Sequence, residues 1–155
     1  MFRTILTVAT LTLAAPAIAQ TSLPDPIRMT DGFARATLPG APVAGAYVTL
    51  ENTGAKDDRL VGATTEAAGN VSIHEMAMQG DTMQMKPLMD GLLLPAGDTV
   101  TMAPSGIHLM LEDLTSPLTE GSTVSMTLEF ETAAPLVVDV PVMALNAGAK
   151  AHHHN

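Results

Sequence analysis

Histidine and methionine are the residues whose types and spacing in this sequence could do chemistry. His74 is followed two positions later by Met76, and His108 is followed in the same way by Met110. Residues i and i+2 of a β-strand point to the same face, about 6.5–7 Å apart, so each pair could present an imidazole and a thioether together. Thioether is a soft, neutral ligand that favours Cu(I) or Ag(I) and offers Zn(II) little. Two such pairs, if the fold brings them together, predict a Cu(I) site.

The segment that follows His74 is dense in methionine. Five methionines fall within 14 residues: Met76, Met78, Met83, Met85 and Met89. Residues 71–87 could form a hairpin with a two-residue loop. If Gln79 and Gly80 form the loop, His74 lies opposite Met85. If Gly80 and Asp81 form the loop, Met76 lies opposite Met85. Either two-residue loop places the imidazole and the thioethers on one face, whereas a three-residue loop would not. The alternative is that the methionines fill gaps in the core.

The elements that must position these residues are strands. Gly (12) and Pro (11) interrupt short segments rich in Val, Thr, Ile and Leu, which is typical of an all-β sandwich or barrel. We predict strands over 45–52, 58–63, 71–78, 82–87, 92–94, 99–102, 107–112, 124–130 and 136–142. In the segment 107–112, Ile107, Leu109 and Leu111 alternate with His108 and Met110. The apolar trio would face the core and leave the His–Met pair on the other face.

Composition excludes several classes of function. The chain has 155 residues, enough for one domain, and a formal net charge of -9, which disfavours binding to nucleic acid. It contains no cysteine, so disulfides, thiolate zinc sites, iron–sulfur clusters and blue-copper centres are excluded. No catalytic triad, paired acids or phosphate loop stands out, so we do not expect an enzyme.

The two ends of the chain differ from the rest. Residues 1–19 have a basic start, an apolar run and an Ala17-Ile18-Ala19 cleavage site, which predicts a secretory signal peptide and a periplasmic protein. No second apolar run could span a membrane, and the lack of a cysteine at the cleavage point argues against a lipoprotein. Residues 20–149 would form one domain. Residues 150–155 would form a flexible tail.

Three stretches carry a resemblance to a known family: His74-Glu75-Met76-Ala77-Met78, Met85-Lys86-Pro87 and Gly106-Ile107-His108-Leu109-Met110-Leu111. Ten residues separate His74 from Met85, and 22 separate Met85 from His108. This succession of a His, a Met and a His-x-Met motif resembles the periplasmic copper chaperones of the PCuAC type. Flanking segments such as Asn52-Thr53-Gly54 are similar too, so the resemblance covers about residues 27–143.

The resemblance implies a cupredoxin-like Greek-key β-barrel with one exposed Cu(I) site made by His74, Met85, His108 and Met110. It also implies delivery of copper to an acceptor protein, either the binuclear copper centre of cytochrome c oxidase or another copper chaperone. Met76 and Met83 would be spare thioethers. The alternative within the metal class is a periplasmic buffer or resistance protein that stores copper. Outside that class, the alternative is a scaffold or adhesion domain whose methionines are core.

Two expectations about metal binding follow. Methionine cannot be protonated, so only the two histidines, with an ordinary pKa of about 6.5, make Cu(I) binding depend on pH, and affinity should fall below about pH 6. The tail residues His152, His153 and His154 are either a native extension that captures Cu(II) or Ni(II), or part of an expression tag.

Overall fold

The structure is a computed structural model that describes residues 25–148. The predicted signal peptide (residues 1–19) and the predicted tail (residues 150–155) therefore lie outside the described residues. Between residues 25 and 148 the chain forms strands and no helix, in this order: β1 (Ile27–Arg35), β2 (Val43–Asn52), β3 (Asp58–Thr64), β4 (Ala68–Gln79), β5 (Thr82–Pro87), β6 (Leu92–Leu94), β7 (Thr99–Thr101), β8 (Ile107–Leu114), β9 (Thr123–Phe130) and β10 (Leu136–Met143). This part of the chain accordingly holds no helix long and apolar enough to cross a membrane.

The strands form one continuous sheet. Its order is β5-β4-β8-β2-β1-β10-β9-β3-β6, and the short β7 pairs with β2 next to the place where β8 does. The pair β1–β10 is parallel and joins two antiparallel halves. The prediction of an all-β sandwich or barrel is confirmed. Strand β8 lies between β4 and β2, well inside the first half.

An aliphatic core fills the space between the two halves. Its fully buried members come from both: Leu50, Leu109 and Leu111 from one half, and Leu60 and Leu128 from the other. Leu109 and Leu111 are 0 % exposed and Ile107 is half-buried, so the inner face predicted for β8 is confirmed. Burial of each such side chain contributes about 1.5–3 kcal/mol. These leucines fix β8 in place and, with it, the residues on its other face.

All nine predicted strands exist, but one strand was missed. β1 contains Asp31 followed by Gly32, a pair that is typical of a turn. The structure instead shows a register shift between Met29 and Asp31 in the β1–β2 ladder. A bulge of this kind accommodates one extra residue while the strand continues.

The hairpin of β4 and β5 settles the register that the sequence left open. Its loop is Gly80-Asp81, and Gly80 has a φ of 65°, the left-handed conformation that a glycine adopts without strain. Consequently Met76 lies opposite Met85, and His74 lies opposite Pro87. β5 is the edge strand of the sheet, and all six of its residues are exposed.

Candidate metal centre

The fold places the two histidines side by side. His74 on β4 and His108 on β8 are directly opposed in an antiparallel pair, and their ring centroids are 5.9 Å apart. Opposed residues of such a pair share a face of the sheet. The two His–Met pairs that the sequence left separate therefore meet on the face away from the leucine core.

The methionines flank this pair of histidines on both sides. Met110 lies opposite Ser72, two residues beyond the histidines in one direction along the strands. Met85 and Met76 form the opposed pair two residues beyond His74 in the other direction, towards the hairpin loop. The structure thus places all four predicted ligands on one face of the sheet. It places Met76 as near to the histidines along the strands as Met85.

Exposure falls steeply across the site, from the edge strand inwards. Met85 is 44 % exposed, His74 and Met110 are half-buried, and His108 is 8 % exposed. The expectation of ligands near solvent holds for Met85 but was wrong for His108. The reason is the position of β8 between β4 and β2, where Tyr47 stands with its ring centroid 6.3 Å from the imidazole of His108.

One nitrogen of His108 is free to bind an ion. Nδ1 lies 3.2 Å from the carbonyl oxygen of Gly106 and donates its hydrogen to it, because a carbonyl can only accept. Nε2 of the neutral ring therefore carries the lone pair. Burial lowers the pKa of His108 below its ordinary value, against the opposing effect of the hydrogen bond to Gly106 and with a smaller contribution from His74. The ring is accordingly held in the neutral form that a metal requires.

His74 is oriented by a relay of hydrogen bonds. Its Nε2 lies 3.0 Å from Ser72 Oγ, which donates to Glu112 Oε2 at 3.1 Å. Asn70 Nδ2 donates to the same carboxylate oxygen at 2.6 Å. Since the single hydroxyl hydrogen is used on Glu112, Ser72 must accept a hydrogen from Nε2 of His74.

The remaining nitrogen of His74 is the only buried side-chain polar atom without a hydrogen-bond partner in the part of the chain that the structure describes. This atom is Nδ1, which carries the lone pair once Nε2 holds the hydrogen. A buried acceptor without a donor costs about 1–3 kcal/mol, and such atoms in native proteins call for an explanation. A bound metal ion would supply one.

We expect Ser72→Ala to disturb the tautomer of His74. Without the hydroxyl, nothing in the relay selects the Nε2–H form, so the Nδ1–H form should gain population and Cu(I) affinity should fall about tenfold or more, as for other outer partners of ligating histidines. Long-range ¹H–¹⁵N correlation spectra report the tautomer, and competition with a chelator reports the affinity. Ser116→Ala, an exposed serine in the loop after β8, is the matched control. An unchanged tautomer in Ser72→Ala would contradict the relay.

Tyr47 borders the inner side of the site. The sequence did not reveal this role. Its ring packs at 4.9 Å from that of Phe33, and the guanidinium of Arg35 lies 5.5 Å above it. A Cβ atom at Gly45 would stand 2.6 Å from the hydroxyl of Tyr47, so the tyrosine occupies the space above that glycine. Burial raises the pKa of Tyr47, partly offset by Arg35, and the phenol stays neutral. Its alternation with the inward-facing Ala46 and Val48 was the available signal.

The donor set suits a soft ion. Among residues 25–148 there is no group of three or more His, Cys, Asp or Glu side chains arranged to hold a metal. What the site offers is two neutral imidazole nitrogens with thioethers on either side, and this combination selects Cu(I) over Ca²⁺, Mg²⁺ or Zn²⁺. The residues present therefore fit copper.

Comparison with known proteins places this chain in a family. The chain belongs to the LpqE-like family, whose model, described as "Putative lipoprotein LpqE-like", matches residues 27–142. A relative in Leifsonia xyli subsp. xyli, named "Putative lipoprotein Lxx21020", is 34 % identical over 129 residues, which are 82 % of this chain and 76 % of the relative.

Solved structures of PCuAC domains share the fold. The copper-bound PCuAC domain from PmoF2 superimposes with a TM-score of 0.64 at 30 % identity, over 77 % of this chain and 93 % of that one. The solution structure of apo-DR1885 from Deinococcus radiodurans has a TM-score of 0.60 at 28 % identity, over 93 % of this chain and 97 % of that one. DR1885 has also been solved with Cu(I) bound. The expected cupredoxin-like β fold is confirmed by these likenesses.

Proposed function

We propose that this protein is a copper chaperone that binds one Cu(I) through His74, Met85, His108 and Met110 and passes it to an acceptor protein. The observation that carries the proposal is the opposed pair of His74 and His108, each with one nitrogen lone pair left free, flanked by thioethers. The copper-bound structures of similar domains support it. The chemistry is ligand exchange, and no catalytic step is part of it.

The exposure of the four residues predicts the order in which an acceptor protein replaces them. Met85 on the edge strand is the ligand that an acceptor reaches first, and His108 is the one it reaches last. Replacement of a neutral thioether by an acceptor ligand leaves the ion held by the remaining three residues. The ion can then leave through a series of shared intermediates without being released to solvent.

The acceptor and the cellular location are extensions of this proposal. The resemblance to PCuAC proteins favours the binuclear copper centre of cytochrome c oxidase or another copper chaperone as acceptor. Residues 1–19 favour export to the periplasm. The names of the relatives favour the cell envelope as well. Storage without delivery is the second candidate, and it predicts that Cu(I) moves to an acceptor no faster than it dissociates.

An anaerobic Cu(I) titration against a chromophoric chelator tests the proposed function. Residues 20–149 should remove one equivalent of Cu(I) from the chelator, and residues 20–155 should do the same. If the tail histidines bind Cu(II), only the longer protein will bind that ion more tightly. Failure of both proteins to compete with the chelator would refute the copper site.

We expect Cu(I) affinity to be nearly constant from pH 8 to about 6.5 and to fall below about pH 6. Burial lowers the pKa of His108, so protons compete for this imidazole only in more acidic solution. For the same reason the apo domain should lose stability as the pH falls below about 6.5, because the unfolded chain binds this proton more tightly. Chelator competition and urea unfolding between pH 5 and 8 measure the two effects.

Met110→Leu is the control for this pH dependence. It removes a ligand that does not titrate, so it should lower the affinity at every pH and leave the shape of the profile unchanged. An affinity of the unmodified protein that stays flat from pH 5 to 8 would contradict a site with two histidines.

A further inference from the structure

We propose that Met78 and Met83, at the tip of the β4–β5 hairpin, form a second and weaker Cu(I) site that loads the histidine site. This inference rests on the proposed copper function and adds to it a place where the ion first binds. None of the four residues of the main site belongs to this pair.

The register of the hairpin brings the two thioethers together. Met78 and Met83 are directly opposed, next to the pair of Gln79 and Thr82 that flanks the loop. Directly opposed residues share a face, and their side chains are close enough for two flexible methionines to contact one ion.

An antiparallel ladder alternates between hydrogen-bonded pairs and non-hydrogen-bonded pairs, and the side chains are closer in the second kind. Met78 and Met83 form a pair of the second kind. Leu88 N donates to Ile73 O at 2.8 Å, which makes Ile73 and Leu88 a hydrogen-bonded pair. Because the two kinds alternate, the next pair, His74 and Pro87, is not hydrogen-bonded. The same holds for every second pair from there towards the loop. The pair of Met78 and Met83 belongs to this class, in which Cα atoms are about 4.5 Å apart.

Both side chains are open to solvent. Met78 is 62 % exposed and Met83 is 48 % exposed, although burial of a methionine is favourable by about 1.5–3 kcal/mol. On this face of the hairpin, from the histidines to the tip, the pairs contain only imidazole, thioether and proline; Glu75 and Lys86 belong to the other face. No carboxylate on that face competes for the ion or attracts a harder one.

A ladder of thioethers connects the tip to the histidines. The pair of Met76 and Met85 lies between them, and each step along the strands is about 6.5–7 Å. Two thioethers bind Cu(I) more weakly than a site that also has two imidazoles. The affinity therefore rises from the tip inwards, and an ion captured at the tip can move inwards by exchanging one ligand at a time.

Methionine-methyl NMR during an anaerobic Cu(I) titration of residues 20–155 tests this inference. The first equivalent should shift the methyl signals of Met85 and Met110. Further Cu(I) should shift those of Met78 and Met83 together, while Met89 and Met143, which are exposed but lie outside the β4–β5 ladder, stay in place. Unmoved signals of Met78 and Met83 would overturn the second site and leave that pair as apolar surface.

A double variant tests the loading role. Met78→Leu with Met83→Leu should keep the affinity of the first equivalent within about twofold and slow its binding from a Cu(I)–chelator complex about five- to tenfold. Met89→Leu with Met143→Leu is the matched control and should load at the normal rate. An unchanged rate in the hairpin variant would overturn the loading role, whereas failure of the unmodified protein to bind the first equivalent at all would refute the proposed function itself.

Discussion

Replacing His108 by alanine is expected to lower the Cu(I) affinity more than about 100-fold, because even residues that only support a metal ligand are worth 10–100-fold. The variant removes the most buried of the four proposed ligands, whose Nε2 is left free by the hydrogen bond from Nδ1 to Gly106. The other three ligands would remain in place but could not enclose the ion. Competition with a chelator under anaerobic conditions measures the loss.

His108→Gln separates this effect from damage to the fold. Its side chain fills similar space, so the apo variant should unfold at nearly the same temperature as the unmodified protein while its Cu(I) affinity falls as in His108→Ala. Retention of tight binding in both variants would show that the ion is held elsewhere.

Variants of the opposed residues Met85 and Met76 test which of the two methionines binds the ion. Met85→Leu should lower the affinity about tenfold, and Met76→Leu, the matched control at the opposed position, should lower it less than about twofold. The reverse order would identify Met76 as the ligand. The position of Met76 on β4, adjacent to β8, makes this a real test of the predicted ligand set.

The strands could be predicted because their inner faces alternate. Leu109 and Leu111 are 0 % exposed, and this period of two marks β8 in the sequence. β1 lacks this alternation, because its bulge between Met29 and Asp31 interrupts the period of two and residues typical of a turn follow it. Local pattern therefore identifies regular strands and fails where the backbone is irregular.

The site could be predicted only as far as spacing within a strand allows. His74 with Met76 and His108 with Met110 could be recognised as pairs, but the loop of the hairpin was left open between two two-residue loops and a three-residue loop. That His74 faces His108 depends on the pairing of β4 with β8, which are not consecutive strands, and no local signal sets it. The resemblance to a family supplied this information instead.

The residues that support the proposed ligands were not predicted either, because their roles also depend on strand pairing that no local pattern shows. Ser72 precedes His74 by two positions and shares its face, but its partner Glu112 comes from β8. Tyr47 comes from a third strand, β2, and stands beside His108. Each role is created by neighbouring strands, so the chemistry of a residue in the sequence did not reveal it.

Leu109→Ala is expected to cost about 2–5 kcal/mol of unfolding free energy, a large part of the 5–15 kcal/mol typical of a domain. Leu109 is 0 % exposed and lies between His108 and Met110 on β8, with its side chain in the core. Loss of this side chain leaves a cavity under the strand that carries two of the proposed ligands. Urea unfolding of the apo protein measures the cost, and Leu93→Ala, at a leucine 45 % exposed, should change it by about 0.5 kcal/mol or less.

Copper should restore part of the unfolding free energy lost in Leu109→Ala, since an ion that binds only the folded state stabilises that state by mass action. Free Cu(I) at 100 times its dissociation constant adds about 2.7 kcal/mol. The same increment is expected in the unmodified protein and in Leu109→Ala, because the four proposed ligands remain. It should fall below about 0.4 kcal/mol in His108→Ala at the same free Cu(I) concentration. Equal stabilisation of all three proteins would mean that copper acts at a site other than the opposed histidines.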